Sequence, residues 1–148
     1  MKRKILFFVL FGLLTSTQVL SQTKNHDNRY HLGLNAEEKV VFLREMRQML
    51  VSIQQIMLGI GIGDKTMVIK AAHYSGNRMA RATPQTIKDK TPVSFEKIGG
   101  PTHMMFEELA INAAEADEGD ADDMKDLAEL TGRLMQNCLA CHEAFTVN

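Results

Sequence analysis

The chain has no tryptophan and only nine other aromatic residues, seven Phe and two Tyr, so any core it builds must be mainly aliphatic. Its ten methionines supply unbranched, adaptable packing side chains, suited to helix packing and equally to closing round a flat cofactor. Cysteine is scarce: the only two, Cys138 and Cys141, stand three residues apart. That placement excludes a framework of disulfides spread along a small secreted domain. Neither sign of charge dominates, with 17 Lys and Arg against 18 Asp and Glu, and no basic stripe is visible. Nucleic acid and anionic membrane surfaces are therefore not expected partners.

A run long enough to span a bilayer is missing as well. Ile5 to Leu14 is apolar, but falls well short of the ~20 residues a membrane helix needs. Behind the basic Met1-Lys2-Arg3-Lys4 it reads as the core of a secretory signal peptide, with Val19-Leu20-Ser21 as the cleavage site. No cysteine near Ser21 offers a lipid anchor. The expectation is export to the periplasm, with no stable membrane anchor once residues 1–21 are removed.

What remains suffices for one domain with one core. Residues 22–34 are polar and read as a flexible lead-in. Asn35 offers an N-cap, with Glu37 and Glu38 where the helix dipole favours acids. Val40, Leu43, Met46, Met49, Leu50, Ile53, Met57 and Ile60 then recur at helical spacing, until Gly59, Gly61 and Gly63 end the helix. Asp64 caps a second helix, which carries Met67, Val68, Ala71 and Ala72 towards Gly76. Thr83-Pro84 and Thr91-Pro92 are start signals for short helical pieces and for helix three. Phe95, Ile98, Met105, Phe106, Leu109 and Ile111 form the apolar face of that third helix, and Gly99-Gly100-Pro101 should kink or break it. The last helix, from about Ala121 to Phe145, has the stripe Met124, Leu127, Leu130, Leu134, Cys138, Cys141 and Phe145. The expected class is all-α: residues 35–148 as an antiparallel four-helix bundle.

Cys138-Leu139-Ala140-Cys141-His142 is the pattern of covalent c-type haem attachment. Cysteines at i and i+3 sit about one helical turn apart on the same face. That separation suits two thiols adding to the two vinyl groups of one porphyrin. His142, at i+4 from Cys138, lies over the same face and can ligate the iron. Two other chemistries use such pairs. A thioredoxin-like pair opens a helix after a strand, where the helix N-terminus lowers a thiol pKa; here the pair lies near the C-terminus of a helical chain. A zinc site with His73 or His103 lacks the second half of its pattern.

On these residues the chain resembles the class II c-type cytochromes, the group of cytochrome c-prime and its low-spin relatives. The resemblance rests on a signal peptide, a first helix rich in Arg and Met (Leu43-Arg44-Glu45-Met46-Arg47-Gln48-Met49), a bundle-sized middle, and CxxCHxxF from Cys138 to Phe145. Only the haem motif is specific. The resemblance implies one covalent haem c near one end of the bundle, ligated by His142. The distal group would come from the first turns of helix one: a methionine in electron carriers, an apolar non-ligand in gas-binding members. The apolar phase puts Met46 there, and Met49 is the alternative.

The expected function is one-electron transfer in the periplasm with His142 and Met46 on the iron, in exchange with a redox partner protein. The competing reading is a five-coordinate protein that binds NO or CO. No constellation of distal base and charge stabiliser suggests an enzyme. His103, after the Gly-Gly-Pro break, reads mainly as a partly exposed helix histidine, and His73 as lying on a polar face. Arg44 and Arg47 bracket Met46 as solvated arginines or propionate partners. The acidic run from Glu115 to Asp123 reads as a solvated turn and helix start. Class II relatives often pair as homodimers through their first two helices, and nothing in this sequence selects for or against that.

Overall fold

A computed structural model describes residues 27–117 and 119–147. The segment read as a signal peptide, 1–21, and the first part of the lead-in, 22–26, lie outside the described residues. The described chain is mostly helical, as expected: α1 (Ala36–Ile62), α2 (Lys65–Ser75), α3 (Asn77–Ala82), α4 (Gln85–Lys88), α5 (Val93–Glu115) and α6 (Ala121–Ala144). Two short strands, β1 (Tyr30–His31) and β2 (Phe145–Thr146), pair in parallel.

Local sequence chemistry sets most of the boundaries. Asn35 and Glu38 form a reciprocal capping box: the Asn35 side chain accepts from the Glu38 amide at 2.9 Å, and the Glu38 carboxylate accepts from the Asn35 amide at 2.8 Å. α1 does not stop at Gly59 but runs on to Ile62, and Gly63 closes it in the left-handed conformation at φ 71°. Asp64 accepts from the Met67 amide and starts α2. Asp120 does the same for α6, accepting from the amides of Asp122 and Asp123, so part of the acidic run serves as a helix cap. Gly99, Gly100 and Pro101 do not break α5, which is continuous from Val93 to Glu115. Pro101 has no amide to give the Lys97 carbonyl, and at the next residue the Thr102 hydroxyl also donates to the Ile98 carbonyl at 2.7 Å.

α1 packs on α2 and α6, and α5 packs on the same two helices. At Gly59, α1 lies close against the start of α2. A Cβ there would lie 2.9 Å from Val68 Cγ2 and 3.0 Å from the Asp64 carbonyl oxygen. Because one of these neighbours is backbone, Gly59→Ala is expected to destabilise the protein by about 1–3 kcal/mol, less the ~0.5–1 kcal/mol of helix propensity that alanine restores. Urea unfolding monitored by circular dichroism checks this, and an unchanged midpoint would show that α2 has room to yield.

The buried face of α1 differs from the expected one. Phe42, Met49, Ile53 and Ile56 point inward, while Val40, Leu50 and Met57 are 64%, 66% and 46% exposed. Apolar residues occur almost all round this helix, so periodicity alone did not fix its phase. The phase is set by Ser52, fully buried, whose hydroxyl accepts from Ser75 of α2 at 2.7 Å. α6 buries Met124, Leu127, Leu130 and Leu134 as its stripe requires, and it ends at Ala144, one residue before Phe145.

The described part of the lead-in is fixed rather than loose. Tyr30 and His31 pair with Phe145 and Thr146, and Leu32 and Leu34 are 3% and 5% exposed. They join Phe42, Ile87 and Phe145 in a second apolar cluster at the α6 C-terminus, apart from the main core round Ile56, Phe106, Leu109 and Leu134.

Candidate functional site

Between these two clusters opens a groove of about 620 Å³, a volume in the ~300–1,000 Å³ range of small-molecule and cofactor sites. Its walls come from α1, the α3–α4 segment, α5 and the end of α6. Cys138, Cys141 and His142 of α6 and Met46 and Met49 of α1 all line it. The structure therefore gathers Cys138, Cys141, His142 and the two candidate distal methionines into one place, although the two groups lie some ninety positions apart in the chain; Arg44 and His73 do not line it. The lining between them is largely apolar, with Phe42, Leu43, Ile53, Ile87 and Phe95.

Cys138 and Cys141 are free thiols, each partly buried, and burial pushes both thiol pKa values up. The neighbouring Cys138 raises Cys141 further. An activated dithiol requires the opposite shift, towards the thiolate, so the environment does not favour thioredoxin-like exchange. Among the described residues no three His, Cys, Asp or Glu side chains come together as a metal-binding group, and His73 does not line the groove but meets Glu107 of α5 at 3.1 Å.

The two methionines occupy different settings. Met49 is 9% exposed and belongs to the main core. Met46 is only partly buried and packs against both clusters. Cys138 packs against the first of these clusters and Cys141 against the second. Met46 thus sits where the two cysteine environments meet.

Polar groups reach the groove from several helices. Glu45 is half-buried, and desolvation raises its carboxyl pKa, opposed by a hydrogen bond from the Thr83 hydroxyl at 3.1 Å and by the charges of His103, Arg44 and Lys88. His103 lines the groove and contacts the Ser75 carbonyl through Nδ1 at 2.7 Å. A carbonyl oxygen can only accept, so Nδ1 is the donor in this contact. The sequence reads His103 mainly as a partly exposed helix histidine, and it is partly exposed here while also lining the groove. Its place follows from helix phase, which the unbroken passage of α5 through Pro101 preserves. Arg47 is on the groove rim. Gly99 and Gly100 form part of the α5 wall, and a Cβ at Gly100 would meet nothing within 4 Å. The pair read as a helix breaker thus leaves room beside the cysteines.

A second cavity, of about 480 Å³, lies between α5 and α6 and is lined mainly by carboxylates, including Glu108, Asp123 and Asp126. It has none of the thiol, imidazole or thioether groups of the first. No protein family model matches the chain, and neither a curated protein nor a solved structure matches it.

The residues of the groove fit a covalently held porphyrin. Two thiols and an imidazole lie on one helix end, a thioether lies on another helix, the space between is largely apolar, and Gly99 and Gly100 line its α5 side beside Phe95 and His103.

Proposed function

We propose that this chain is a periplasmic monohaem c-type cytochrome that transfers single electrons. In this reading α1, α2, α5 and α6 form an antiparallel four-helix bundle, with the haem held near the end where α6 finishes. One observation carries the proposal: Cys138, Cys141, His142, Met46 and Met49 line a single, largely apolar groove.

When bound, the haem supplies a one-electron couple. Cys138 and Cys141 would hold it through thioethers, and His142 would be its axial ligand. Met46 is favoured over Met49 on the other side, because it is only partly buried in the groove and packs at the level of both cysteines. A thioether in that position raises the reduction potential relative to a second histidine. The apolar walls from α1 and α5 limit water at the site, and the half-buried Glu45, with Arg47 and His103, supplies polar groups at its edge. No catalytic step on a substrate is part of this reading; the partner is another redox protein.

The test is the optical spectrum of protein matured in a periplasm competent for c-type haem, taken oxidised, reduced, and reduced with CO. The expected result is covalently bound pigment, low-spin when reduced and unaltered by CO. A high-spin reduced spectrum that CO shifts at once would replace electron transfer with gas binding and return Met46 to packing. Colourless protein would overturn the haem reading altogether.

A further inference from the structure

The segment before α1 is joined to the turn that carries His142 by three independent contacts. Arg29 Nη1 donates to the His142 carbonyl oxygen at 3.2 Å. The Leu32 amide donates to the Thr146 carbonyl at 2.9 Å, extending the β1–β2 pair. Leu32 and Leu34 are buried against Phe42, Ile87 and Phe145, and two of these, Phe42 and Ile87, also line the groove. Gly33 lies between the two leucines at φ 65°, a left-handed conformation that glycine adopts without a steric penalty.

The contact with His142 has a physical role. The last carbonyls of a helix lack an intrahelical donor. In α6 the Phe145 amide serves Cys141, and the next carbonyl, that of His142, receives the Arg29 guanidinium. A cation there also complements the helix dipole. Asp27 fixes the guanidinium in turn, its carboxylate meeting Arg29 Nη2 at 2.6 Å and Nε at 2.9 Å.

We propose that residues 27–34 are a clasp on the haem-attachment turn, and that Arg29 is a positioning residue acting through His142. As a statement about a cofactor this rests on the haem reading above; as a statement about the end of α6 it does not. The experiment compares the full-length matured protein with Arg29→Met, Arg29→Lys, Asp27→Asn and the surface control Arg133→Met. Amide hydrogen exchange at Leu32 and Phe145 is measured together with the reduction potential. Arg29→Met is expected to speed exchange at both amides several-fold, and Arg29→Lys to restore most of the protection. Arg29→Met removes a positive charge and leaves the Asp27 carboxylate unpaired beside the turn, which lowers the potential, and Arg29→Lys is expected to restore it. Asp27→Asn keeps the guanidinium but removes what holds it, so it is expected to speed exchange at the same two amides, an effect that charge alone does not produce. Exchange no faster than in Arg133→Met overturns the clasp, and Asp27→Asn exchange equal to wild type, or a potential unmoved in Arg29→Met, overturns the positioning role. If the wild-type chain carries no covalent pigment, the haem reading fails on that observation, and exchange still decides whether the clasp exists.

Discussion

Met46→Ala is expected to convert a protein that ignores CO into one that binds it stoichiometrically once reduced. Met46 is the α1 side chain that packs against both apolar clusters, and so against the surroundings of both cysteines. Removing its thioether leaves only His142 among the assigned axial groups, and the potential should fall because the soft sulfur ligand that favours the reduced state is gone. Stability should change less than for a core methionine, since Met46 is partly exposed to the groove. Met49→Ala is the matched comparison. Met49 is 9% exposed in the main core, so its truncation should cost about 2–5 kcal/mol and leave the spectrum as it was. Spectra of the two variants with and without CO, together with urea unfolding, separate the roles. If Met49→Ala opens the site and Met46→Ala does not, the assignment is reversed.

The contrast between these methionines shows what the sequence made legible. α6 could be read in full: its stripe from Met124 to Leu134 is the only apolar series on a strongly charged helix, and the cysteines continue it. The caps at Asn35 and Asp64 were equally legible, because each rests on a side chain reaching an amide three residues away. α1 was harder. With apolar residues on nearly every face, its sequence offers more than one stripe, and the choice is made by a partner on another helix, the buried Ser75 hydroxyl that meets Ser52 at 2.7 Å. The clasp was harder still. Leu32 and Leu34 flank a glycine in a polar stretch and have no periodicity of their own. What buries them is Phe145, more than a hundred residues further on. The caps and the α6 stripe are local signals and agree with the structure, whereas the Gly-Gly-Pro break is absent and the α1 phase differs; contacts between distant segments left no local mark.

The α5 wall gives the second large effect, and in it stability and site occupancy should move in opposite directions. Gly100 lies inside a helix, where glycine costs about 0.8–1.0 kcal/mol relative to a good helix former, yet nothing within 4 Å of its missing Cβ prevents a side chain. Packing therefore does not account for the glycine. It lines the same groove as Cys138, Cys141 and His142, and on the proposed haem reading that position is the reason for it. Gly100→Leu adds a branched apolar side chain to a wall that is otherwise open there. Without cofactor, the variant should be as stable as the parent or slightly more so, because leucine restores helix propensity. In cells that attach c-type haem, it should accumulate with a large loss of covalent pigment per polypeptide. Gly132→Leu is the control, since Gly132 lies on α6 outside the groove, also with nothing within 4 Å of a Cβ. Pigment per chain and unfolding midpoint are read on the same preparations. Full loading of Gly100→Leu would mean that the porphyrin does not use the space beside α5, and the groove between α1 and α6 would then have to hold it alone.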